Sequence, residues 1–164
     1  MEQLDYNSIS QIIPSFPPLA FPIPLWLSKL LIVVGFFLHA VPMKIVLGGT
    51  WLAAILFFLK GKQARRAGTA LIISLPVILS FAITQGIVPL LFLQLIYGPL
   101  FYSSSILMAV PWILIILILI IAYYSLYYVK LNKDKLQSSA KYFLLFSGLI
   151  FLAIGFLFTN NMTL

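Results

Sequence analysis

Cysteine is absent from this 164-residue sequence, which excludes disulfides, thiolate metal sites and covalent c-type haem attachment. Acids are nearly absent too: Glu2, Asp5 and Asp134 are the only three. Charged residues of both signs make up 8% of the chain, against ~25% in a soluble domain. So little charge does not coat a globular core of this size, and a soluble enzyme, a free nucleic-acid binder and a disordered tail are all disfavoured. P-loop, H-E-x-x-H, paired-carboxylate and nucleophile-elbow patterns are missing. Proton relays through membranes draw on intramembrane carboxylates, and none lies in an apolar stretch here. Histidine occurs once, as His39.

What is present is apolar: 63% of residues, with a mean hydropathy of +1.14. A transmembrane helix needs ~20 mostly apolar residues, so the chain has room for several. The expected class is an all-α integral membrane protein, a four-helix transmembrane bundle with a long kinked first helix. Residues 1–24 hold Pro14, Pro17, Pro18, Pro22 and Pro24 and read as an outer or interfacial arm. Glu2 and Asp5, with no basic residue in the first twenty, do not fit a cleavable signal peptide. Residues 25–164 form a single transmembrane domain, with spans at about 25–59, 68–88, 106–128 and 142–158. Residues 89–105, with Gly98-Pro99 and Ser103-Ser104-Ser105, read as an outer connector with a short interfacial helix. The first run is ~52 Å long as one helix, beyond the ~30 Å hydrocarbon core. A hairpin near Val41-Pro42, giving five spans, is the alternative.

The net charge of +7 would suggest nucleic acid in a soluble domain. Its placement says otherwise. Lys60, Lys62, Arg65 and Arg66 form one cluster, and Lys130, Lys133, Lys135 and Lys141 a second, each between apolar runs. Basic loops mark the cytoplasmic side. Four spans then place both loops inside and both termini outside, in a multi-pass protein of the cytoplasmic (inner) membrane. Tyr123, Tyr124, Tyr127 and Tyr128 read as an interfacial aromatic belt, and the Leu/Ile stretch 113–121 as lipid-facing.

Against this background the polar exceptions are the candidate site. His39 falls within the first span, where ionisable groups are functional by default, and imidazole is a common axial haem ligand. The simpler reading is a histidine hydrogen-bonded to a neighbouring helix. One histidine excludes a bis-His haem within one chain, leaving a five-coordinate haem, a His39/Met108 pair, or a site shared between chains. Gly35 and Met43 flank His39 by one turn on the same face, as room and lining for a flat ligand or as ordinary packing. Lys44 lies about 140° around the helix and is read as an anion partner or as a snorkelling side chain. Gly48-Gly49 with Ala53-Ala54 makes a small-residue surface. Ser80, Thr84 and Gln85 form a polar patch, and Tyr102 and Trp112 are candidates for an outer quinone or haem-edge pocket.

Leu27-Ser28-Lys29-Leu30, His39, Pro42, Leu47-Gly48 and Gly61-Lys62-Gln63 resemble the start of subunit I of the cytochrome bd-type quinol oxidases. That family has a periplasmic N-terminus and a long first helix with L-S-R-L, a haem-ligating His, a Pro and L-G, followed by a G-K-Q cytoplasmic turn. The separations from Ser28 to His39 and to Gly48 fit. Pro42 comes slightly early and Gly61-Lys62-Gln63 slightly soon. Residues 81–86 loosely resemble the family's F-x-x-G-V-x-x-G stretch. The resemblance spans residues 27–90. It implies one haem b with His39 as its ligand, a quinone pocket, or the scaffold alone. The family's helix-three carboxylates, later His and Met ligands and quinol-binding loop have no counterpart, so the implied protein is a reduced relative. The expectation is thus a small subunit of a respiratory electron-transfer complex, in contact with the lipid bilayer and with other membrane or cytochrome subunits, or with a second copy. A cofactor-free structural or assembly subunit and a small transporter subunit are the alternatives.

Overall fold

The computed structural model describes residues 23–59, 61–136 and 139–163. The proline-rich arm lies outside them except for Ile23 and Pro24, as does Lys60 of the first basic cluster. The described residues form four helices: α1 Leu25–Phe58, α2 Lys62–Leu107, α3 Ala109–Leu131 and α4 Ala140–Thr163. All four are long and apolar enough to cross a membrane. The chain is an all-α, multi-pass four-helix bundle.

The first apolar run is one helix. α1 continues through Pro42, whose ring is buried against the bundle, and spans about 51 Å, so no hairpin forms at Val41-Pro42. The sequence-based boundaries shift elsewhere. Lys62, Arg65 and Arg66, expected in a loop, occupy the first turns of α2, and only residues 59–61 separate α1 from α2. The second span does not stop at Val88. α2 runs on through Pro89 and breaks at Tyr97, whose φ of −115° and ψ of 30° leave the helical region. The break falls two residues before Pro99, whose ring crowds the carbonyl four residues earlier and removes a helix hydrogen bond. The short helix expected in the connector does exist beyond Tyr97, but as a direct continuation of α2. α3 is shifted by three residues from the expected span, to Ala109–Leu131, and α4 is longer than expected at both ends, at Ala140–Thr163.

α1 packs along α2 and α4, and α3 along α2 and α4, while α1 and α3 sit at opposite corners. The α1/α2 pairing is antiparallel, and glycines mark its register. Gly35 lies under Pro89, Gly86 against His39, Gly49 under Leu75 and Gly68 against Phe57. A Cβ on any of these would come within 2.8–3.0 Å of the opposing side chain. On the other flank of α1, Trp51 lies over Gly148 of α4. The core is made of small and aliphatic side chains: Val46, Ala53 and Ala54 of α1, Leu75 and Leu79 of α2, Leu126 and Val129 of α3, Leu144 and Phe151 of α4. Such packing is what holds helices together in lipid, where apolar burial gives little net driving force.

The glycines of α4 separate packing from propensity. A Cβ at Gly148 would stand 3.0 Å from the Trp51 ring, whereas Gly155 has open space around it. Gly148→Ala is expected to lower stability by about 1–3 kcal/mol through overpacking. Gly155→Ala is expected to raise it by about 0.5–1 kcal/mol through helix propensity. Thermal unfolding in detergent micelles checks the opposite signs.

Candidate functional site

His39 lies half-buried on the face of α1 turned toward α2. Its Nδ1 stands 2.7 Å from the carbonyl oxygen of Ala82. A carbonyl only accepts, so Nδ1 carries the proton and donates it across the seam. The ring rests on Gly86, one turn after Ala82, where a Cβ would approach Nδ1 to 2.8 Å and Cε1 to 2.9 Å. Ala82 and Gly86 thus form a small-xxx-small seat for the imidazole. His39 makes no second hydrogen bond among the described residues. In the neutral ring this leaves Nε2 as an unprotonated lone pair, able to bind a metal ion or accept a hydrogen bond. Donation from Nδ1 to a backbone carbonyl is also the arrangement that orients and strengthens a ligating histidine.

The other predicted residues do not gather around that ring. Met43, one turn on, is half-buried and packs against the hydrophobic core. Gly35 is buried beneath Pro89 and Val88, so the room it creates is taken by α2. Gln85 precedes Gly86 in sequence and is half-buried at the depth of His39, without a hydrogen bond among the described residues. Lys44 is exposed on the outer face of α1. It shares that surface with Val41 and Ile45, and no acid of this chain lies in a span. Met108 sits at the junction of α2 and α3, and about 30 Å of helical path separates it from Gly86. α1 and α3 occupy opposite corners, so one chain does not bring Met108 to His39.

Tyr102 lies beyond the break in α2, exposed, with its ring edge-on to Phe101 at 5.6 Å. Trp112 of α3 packs edge-to-face on Phe158 of α4 at 5.7 Å and has its indole N–H buried without a hydrogen-bond partner among the described residues. Tyr102 and Trp112 are therefore on separate parts of the bundle from the His39 seat.

A polar contact that composition alone does not single out joins α2 to α3. Ser80 Oγ lies 2.8 Å from Tyr123 Oη, and Tyr127 Oη follows at 3.5 Å. Lys130 places its ammonium 5.4 Å from the Tyr127 ring. Two of the four tyrosines read as an interfacial belt therefore turn inward, while Tyr124 and Tyr128 remain exposed. The spacing of Tyr123 and Tyr127 on one face, opposite a serine-bearing span, was the available signal.

The His39 seat makes a non-additive prediction. Gly86→Ala should cost about 1–3 kcal/mol in the native chain by pushing the imidazole off Ala82. In a His39→Ala background the same substitution should be close to neutral. A double-mutant cycle of unfolding in micelles measures the coupling. Additive costs would show that the ring does not occupy this seat.

No family model matches the chain, and neither a curated protein nor a solved structure matches it. The functional reading therefore rests on the chemistry of these residues.

Proposed function

We propose that the chain is a small integral membrane subunit of a respiratory electron-transfer complex, with His39 as axial ligand of a b-type haem. In this reading it is a reduced relative of cytochrome bd-type subunit I. The observation that carries the proposal is the His39–Ala82 hydrogen bond, which uses Nδ1 and leaves Nε2 for iron. The imidazole is held by its tautomer-fixing bond on one edge and by Gly86 against the ring. A haem bound there would carry one electron at a time between donor and acceptor. The same lone pair accepts a hydrogen bond from a quinol hydroxyl, which makes the reduced quinone the second candidate ligand. With Met108 remote, this chain would hold the haem through His39 alone, and any further ligand would come from a partner subunit or a second copy. Lys44, exposed in mid-span without an internal acid, meets an anionic group of that partner. The positive-inside tendency supports a cytoplasmic side for both basic clusters, with the inner membrane as the proposed location.

The same hydrogen bond supports one other reading: His39 as a link between α1 and α2 in a cofactor-free assembly subunit. A reduced-minus-oxidised absorbance spectrum of the purified native complex separates the two. The haem reading expects b-type bands that vanish in His39→Ala and persist in Lys44→Gln. A folded, intact complex with no haem assignable to this chain overturns it and leaves the structural role.

A further inference from the structure

A groove of about 520 Å³ opens on the lipid-facing side of the α3/α4 hairpin, on a different helix pair from the α1/α2 seam that holds His39. Tyr124, Ser125 and Tyr128 of α3 form one wall, and Tyr142, Phe143 and Phe146 of α4 form the other. Its floor is fixed by two contacts between the helices. Ser125 Oγ donates to the Phe143 carbonyl at 3.3 Å, and the Tyr128 and Phe143 rings pack at 5.2 Å. The volume falls within the ~300–1,000 Å³ of ligand sites. Apart from its hydroxyls the lining is apolar.

The groove runs up to the turn between α3 and α4, and that turn carries the second basic cluster. Lys130, Lys133, Lys135 and Lys141 flank it, with Asp134 as the only acid. Lys141 ties charge to groove directly. Its ammonium stands 4.5 Å from the Phe58 ring and 5.2 Å from the ring of Tyr142, a groove wall. These cation–π contacts hold the ammonium between α1 and Tyr142, beside a wall of the groove.

The geometry points to a binding site for one anionic phospholipid, with an acyl chain in the α3/α4 groove and the phosphate at the lysines of the turn. An acidic peptide would satisfy the lysines but leave the aromatic walls uncovered. A zwitterionic lipid would fill the walls but return little to a cluster of four cations and one acid. Basic segments beside membrane helices favour anionic headgroups in this way.

Native mass spectrometry tests the site on the detergent-purified full chain, offered equal amounts of dioleoylphosphatidylglycerol and dioleoylphosphatidylcholine. The first retained lipid is expected to be the phosphatidylglycerol, by about tenfold or more. Each lysine-to-glutamine change among Lys130, Lys133, Lys135 and Lys141 should lower that preference, by up to about fivefold. Ile121→Trp, which places an indole in the groove, should reduce retention of both lipids. The lysine variants leave the buried core untouched, and circular dichroism confirms that they fold. Equal retention of the two lipids, or an undiminished preference after all four substitutions, overturns the proposal. So does displacement of the lipid by soluble glycerol phosphate, which would make the headgroup alone the ligand.

Discussion

The glycines of the α1/α2 seam carry the architecture, because lipid tails are as apolar as leucine and do not press helices together. What remains is contact at short range. Gly35, Gly49, Gly68 and Gly86 remove side chains at intervals along the pair, so that Pro89, Leu75, Phe57 and His39 close onto bare backbone. Each contact also fixes register, since sliding by one residue would drive a Cβ of a neighbouring position into the opposing helix. The seat for His39 is one of these contacts. The imidazole reaches the Ala82 carbonyl because Gly86 leaves room for its Nδ1–Cε1 edge against α2, and the polar bond depends on the close approach rather than the reverse.

Proline acts within the same constraint. Each internal proline removes a hydrogen bond from the helix, a loss that lipid does not make good. Pro42, Pro76 and Pro89 are all buried against neighbouring helices, and Pro89 is seated on Gly35. Tertiary contact offsets the missing bond, and the helices run on. Pro99 differs. By the register of the seam it lies level with the start of α1 at Leu25, where that support ends, and there the chain leaves helical geometry at Tyr97. Whether a proline kinks or breaks this chain thus follows from what packs against it.

That distinction marks the boundary of what the sequence makes legible. Class follows from apolar composition and run lengths, whereas four spans with a single first helix is one of two readings, because a hairpin at Val41-Pro42 leaves both basic loops on the same side as well. The end of the second span does not follow either, because a proline in a supported stretch and one in an unsupported stretch look alike in one dimension. Burial is hidden for a related reason. A helix facing lipid on one side and protein on the other is apolar all round, so Ile115 is buried while Ile113 and Ile116 are exposed without any difference in residue type. Small residues are more readable, though only in part: Gly49, Ala53 and Ala54 face inward, whereas Gly48, read with them, is exposed with open space around it. At the candidate site, the separation of His39 from Lys44 was legible as an angle around α1. The seat made by Ala82 and Gly86 was not, because it depends on which turn of another helix lies opposite.

Polar groups are therefore the informative minority, and what each lacks points outward from the chain. His39 has its Nδ1 satisfied by α2 and its Nε2 unengaged among the described residues. Lys44 carries a cation on the outer face of a span that holds no acid. The α3/α4 turn gathers four cations around one aspartate beside an apolar groove. A polar group in a membrane that its own chain leaves uncompensated is costly unless something else completes it. The three deficits differ in chemistry: an acceptor lone pair, a lone cation in mid-span, and a cationic mouth over an apolar channel. One ligand does not answer all three, so in the proposed readings each deficit is met at a separate place on the bundle.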